Sequence, residues 1–177
     1  MRGLPATTLE GLESRRQDVR GQWGRRAFLT VLALGLVAAL AGYLGVRSTT
    51  VSAEEDGWSL SLEHASVARA GLDVPFTATV RHEGGFGEPG SPVTLALTGT
   101  YLDLYETQGF HPEPSATRRD ADTLYLTFDA PAEGDTMVVT YDAYVQPAAQ
   151  QGRSGDLAVL TDGRQVAMVS FRTRLLP

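Results

Sequence analysis

Hydrophobic positions follow two different patterns along this chain. From Ala27 to Val46 (AFLTVLALGLVAALAGYLGV) they form an unbroken run without a charge, in which only Thr30 and Tyr43 carry polar groups. From Trp58 onward they alternate with polar residues and are interrupted by turn signals. A helix of about twenty residues rises about 30 Å, which matches the hydrocarbon core of a bilayer. The first pattern therefore predicts one N-terminal transmembrane helix over 27–46.

The second pattern predicts strands. Trp58, Leu60 and Leu62 alternate with Ser59, Ser61 and Glu63, and Val74, Phe76, Ala78 and Val80 alternate with Thr77, Thr79 and Arg81. Val93–Leu97, Tyr101–Tyr105, Leu124–Phe128 and Met137–Val145 follow. The last pair, Asp156–Thr161 and Gln165–Arg174, is joined by Asp162-Gly163, a sequence suited to the positive φ angles of a tight hairpin turn. Phe76, Leu126 and Val139 are the expected core markers, because each sits among polar neighbours at period two. Gly84–Pro92 reads as a long loop and Pro131–Asp135 as a tight connection.

Seven or eight such strands in about 120 residues predict an all-β, immunoglobulin-like antiparallel β-sandwich. The expected organisation is a disordered tail over 1–26, the helix over 27–46, a linker over 47–57 and the sandwich over 58–177. The absence of cysteine removes disulfides, thiol catalysis and Cys-ligated metals from consideration.

Charge adds a direction. Residues 1–47 carry seven Arg against Glu10, Glu13 and Asp18, a net of +4, whereas residues 48–177 carry eight Arg against eighteen acids, a net of −10. Arg15, Arg16, Arg20, Arg25 and Arg26 precede the apolar run and Arg47 alone follows it closely. The positive-inside rule then puts the N-terminus in the cytoplasm and the C-terminal domain outside the cell membrane. Trp23 and Tyr43 stand where an aromatic belt would place them. An alternative reading takes Gly24–Leu29 as a twin-arginine export signal, with Val51-Ser52-Ala53 as a cleavage site. Both readings put the domain on the same side. The acidic outer domain, with no basic stripe, argues against nucleic acid as a partner.

Ala68–Thr77 and Gly134–Tyr141 resemble the second-strand entry and the penultimate strand of bacterial immunoglobulin-like ectodomains. The chain as a whole resembles single-pass membrane proteins of actinobacteria that carry such a domain. The resemblance implies fold and anchoring and brings no catalytic residue.

Candidate chemistry is sparse. Tyr101–Pro114 (YLDLYETQGFHPEP) is the densest polar-aromatic stretch, and Tyr101, Tyr105, Phe110 and His111 are the expected partner-binding residues, displayed on an edge strand and loop. The competing reading packs those rings onto the sandwich. His64, His82 and His111 have no metal-ligand spacing and read as isolated surface histidines. Asp120-Ala121-Asp122 lacks the ligand count of a calcium loop. Gly152-Arg153-Ser154-Gly155 is one residue short of a nucleophile elbow and reads as a polar turn. No enzyme, cofactor or metal is expected. The expected role is an interaction or assembly module bound to the bilayer through 27–46 and to a membrane or envelope protein. The alternative is a module binding a cell-wall glycan, a small solute or an ion.

Overall fold

The structure, a computed structural model, describes residues 19–40, 42, 45–106 and 109–176. The chain divides into two compact units, Met1–Leu44 and Gly45–Pro177. It is mostly β, 55% strand and 16% helix, which places it in the β-rich class with one long apolar helix.

In the first unit, helix α1 spans Val19–Leu40. It begins earlier than the apolar run and ends earlier. Between Gly21 and Arg26 the two glycines weaken a helix, but glutamine and two arginines are good helix formers and no proline interrupts the run. At the other end Gly42 adopts φ 74° and its N–H donates to the Ala39 carbonyl at 3.0 Å, a glycine C-terminal stop. The apolar segment is thus Gly21–Leu40, with mean hydropathy 1.4 and no part of it buried. Of the tail expected to be disordered, residues 19–26 are helical and 1–18 lie outside the described residues, as does Tyr43.

The second unit is built from β1 (Arg47–Glu55), β2 (Trp58–Arg69), β3 (Asp73–Val74), β4 (Phe76–His82), β5 (Pro92–Thr98), the short helix α2 (Gly99–Leu102), β6 (Phe110–His111), β7 (Ala116–Asp120), β8 (Thr123–Asp129), β9 (Thr136–Tyr141), β10 (Ala143–Tyr144), β11 (Arg153–Thr161) and β12 (Arg164–Leu176). The expected linker over 47–57 is corrected. Nine of its residues form β1, an antiparallel partner of β2 joined to it by a turn at Asp56 and Gly57, both at positive φ. Its side chains are too small and polar to announce a strand by hydrophobicity, and pairing with β2 supplies what propensity does not.

One ten-stranded sheet runs β6-β9-β4-β2-β12-β11-β5-β8-β7, with β1 attached to β2, and β3 pairs separately with β10. The expectation of purely antiparallel pairing is corrected at one joint. Trp58–His64 of β2 pair antiparallel with β4, whereas Val67–Arg69 pair parallel with Arg174–Leu176 of β12. Between those stretches β2 changes course. His64 and Ala65 are both buried, and Arg47 pairs with Val67 while Ser48 pairs with Ala65, leaving Ser66 as a bulge.

That change of course curls the sheet onto itself. Leu60, Leu62, Phe76, Val80 and Val139 from one half join Leu95, Leu97, Leu126, Phe128, Val159 and Phe171 from the other in one hydrophobic cluster. Phe76 lies edge-on to Phe171 with ring centroids 6.0 Å apart. The three expected core markers are inside: Phe76 and Leu126 are 3% exposed and Val139 2%. The final hairpin also forms as expected, with Asp162 and Gly163 both at positive φ.

Candidate functional site

The residues chosen from sequence divide between core and surface. Tyr101, in α2, is fully buried, and Tyr105 is 2% exposed. Both are corrections to the expected outward display. The stretch after β5 is a turn of helix rather than an edge strand, and it drops the two rings into the curled sheet. Phe110, in β6, is half-buried and stacks on Tyr141 at 4.6 Å. His111 is exposed, with Nε2 3.0 Å from Asp142 Oδ2. Only these last two reach a surface.

The buried tyrosines are held by a polar chain whose direction is fixed by chemistry. Thr173 Oγ1 donates to the Ala65 carbonyl at 2.5 Å, so its single proton is spent. Tyr101 must then donate to Thr173 Oγ1 at 2.8 Å, and Tyr105 to the Tyr101 oxygen at 2.6 Å. Burial pushes both phenols above their ordinary range, Tyr101 the further. Both hydroxyls therefore stay protonated near neutrality and remain donors in the chain. Gly155 makes room for them: a Cβ there would stand 2.9 Å from Tyr101 Cβ and 3.2 Å from the Phe171 ring.

A larger concavity than the one beside these tyrosines lies elsewhere. An open groove of about 540 Å³ is lined by Thr49 and Val51 of β1, His64 of β2, Thr98 at the end of β5, Ser154–Asp156 of β11 and Ser170–Arg172 of β12. His64 is 2% exposed, which corrects its reading as a surface histidine. Its Nδ1–H donates to the Ala65 carbonyl at 3.0 Å, and its ring lies 5.2 Å from Phe171. Desolvation lowers its pKa, and the backbone bond offsets this only in part, so the imidazole is neutral at pH 7. Beside the groove Ser170 Oγ donates to Asp156 Oδ1 at 2.5 Å, which occupies the serine proton; that pair makes no hydrogen bond to His64. No family model and no curated protein matches this chain.

A smaller recess of about 270 Å³ sits beside the expected loop, lined by Leu102, Asp103, Tyr105, Phe110, Arg119, Leu124, Tyr141 and Gln146. Tyr105 and Phe110 therefore do come together, in the wall of a cavity rather than on a projecting loop. His82 Nδ1–H donates to the Gly85 carbonyl within its own loop, and the ring stacks on Trp58 at 4.2 Å. Among the described residues no three His, Asp or Glu side chains cluster as metal ligands would. The groove residues were missed because its two walls are far apart in sequence. One signal did exist: His64 continues the inward parity of Leu60 and Leu62.

Proposed function

We propose that this chain is a membrane-tethered interaction or assembly module, with its β unit held outside the cytoplasm as an immunoglobulin-like sandwich. The observation that carries the reading is α1, whose segment Gly21–Leu40 is 20 residues long with mean hydropathy 1.4, long and apolar enough to cross a membrane. The charge-free run Ala27–Leu40 within it would be strongly unfavourable in water, so lipid or another helix must cover it. Gly35 has open space around it, which permits close approach of a second membrane helix. The sandwich reading is supported by β2, which divides its pairing between β4 and β12 so that two half-sheets face one another across one core. An acidic outer unit favours protein partners over nucleic acid or anionic lipid. The proposal contains no catalytic step and no cofactor.

Native electrophoresis of detergent-solubilised membranes tests it. The 19.0 kDa chain is expected to resist alkaline extraction and to migrate in an assembly well above its own mass. Release by alkali, or migration only as a free monomer, would remove the reading.

A second reading, binding of a small solute or glycan fragment, is favoured by the recess between Tyr105, Phe110 and Tyr141, where Arg119 adds a cation beside aromatic walls. Its volume falls just under the usual range of about 300–1,000 Å³ for ligand sites, which ranks it below the first.

A further inference from the structure

One edge of β12 lacks a strand partner over most of its length among the described residues. Over Arg164–Thr173 the strand pairs with β11 on one side and with no other strand; only Arg174–Leu176 join the β2 ladder, although Thr173 Oγ1 also reaches the Ala65 carbonyl of β2. β1 likewise pairs on one side, with β2. Thr49 and Val51 of β1 line the same groove as Phe171 and Arg172 of β12, so the unpaired stretch opens beside the inward-facing residues of β1. A strand edge of this length offers a row of free N–H and C=O groups, and soluble proteins usually blunt such edges with proline or cover them. Here Arg164–Thr173 contains no proline.

The charges beside this edge indicate what would pair with it. Arg172 and Arg174 are exposed on the outer face of β12, and neither has a carboxylate within ion-pair distance among the described residues. The inner side of the groove is apolar or neutral, with Val51, Phe171 and the uncharged His64 ring, and the Asp156 carboxylate that also lines the groove is engaged by Ser170 Oγ. An added strand would therefore present apolar residues inward and acidic residues outward at period two.

We propose that the free edge of β12 accepts an extended segment of a partner protein, alternating apolar and acidic residues, as an added strand in the groove beside β1. This rests on the reading of the β unit as an interaction module and names the form of its partner. Backbone hydrogen bonds to β12 supply affinity, and the two arginines select the sign of the outward side chains.

The test uses the full chain in lipid nanodiscs and a labelled synthetic peptide of alternating valine and glutamate, long enough to span Arg164–Arg172, read by fluorescence anisotropy. Saturable binding is expected, weakened by at least about tenfold when alternate peptide nitrogens are methylated, since methylation removes the strand's donors and keeps its side chains. The double variant Arg172→Glu, Arg174→Glu changes only exposed side chains, and is expected to reverse the preference toward a valine–lysine peptide. Equal binding of the methylated peptide would reduce the groove to an adsorbing surface and overturn the proposal. So would absence of saturable binding, indifference to charge reversal, or self-association of the chain that the peptide cannot displace. Failure here with the native assembly intact would remove the strand site and leave the module reading standing.

Discussion

At the scale of single residues, the second unit is organised around one carbonyl. The Ala65 oxygen accepts both Thr173 Oγ1–H and His64 Nδ1–H, and the first of these anchors the chain to Tyr101 and Tyr105. Because every proton in the chain has one destination, the position of a hydroxyl decides the cost of losing it. Tyr101→Phe strips Tyr105 of its acceptor and Thr173 of its donor, and is expected to cost about 1–3 kcal/mol. Tyr105→Phe leaves Tyr101's donation to Thr173 intact and should cost about 1 kcal/mol or less. Urea unfolding of the two variants measures the order, and an equal or inverted order would contradict the assigned direction of donation. His64 gives a second prediction. Its folded pKa is depressed, so the unfolded chain binds the proton first as pH falls. Stability is expected to decline as pH drops below about 6.5, the ordinary histidine value, until the folded pKa is reached. Thermal unfolding of His64→Leu should lack the part of that decline that begins near neutrality, where carboxylates do not yet titrate.

At the scale of elements, alternation was legible wherever packing and local pattern agreed. β4, β8 and β9 carry period-two hydrophobicity, and their inward residues Phe76, Leu126 and Val139 are in the core. The Asp162-Gly163 turn was legible for a similar reason, since the backbone angles it needs are the ones those residues tolerate best. β1 was hidden because serine, threonine and alanine dominate it, and its strand character comes from β2. The two-residue strands β3, β6 and β10 are too short to carry any period. The parallel joint was hidden for a deeper reason: β2 and β12 lie at opposite ends of the unit's sequence, and no local signal encodes which edge a strand turns to after a bulge. Tyr101 and Tyr105 misled for the same reason. Beside Asp103 and Glu106 they look like surface aromatics, yet the partner that makes their burial tolerable, Thr173, is 72 residues from Tyr101. A hydroxyl buried without that partner would cost several kcal/mol, so the sequence alone favoured the wrong side of the balance.

At the scale of the whole molecule, the decisive asymmetry is charge across an apolar helix. The cationic side of α1 contains Arg20, Arg25 and Arg26, with Arg15 and Arg16 before them in the sequence, while Arg47 stands nearly alone on the other side and the unit beyond it is acidic. Translocating the acidic side is the cheaper choice, because lysine and arginine, rather than acids, resist transfer. The proposed orientation therefore makes a plain forecast for spheroplasts probed with antibody. Epitopes placed after Gly57 are expected to be accessible to antibody in intact spheroplasts, and an epitope before Arg15 only after the membrane is permeabilised. Removing charge from the tail is the sharper arm. Replacing Arg15, Arg16, Arg20, Arg25 and Arg26 with glutamine, while adding arginines beyond Arg47, should invert a fraction of the molecules. Intact-mass measurement of the mature protein separates anchor from signal in the same preparation, because cleavage after Ala53 would remove α1 and most of β1 together. Since β1 pairs along nearly its whole length with β2 and walls the groove beside β12, that cleavage would strip the β unit of an edge it folds with. A retained N-terminus is the expected result, and a mature chain beginning after Ala53 would end the tether proposal.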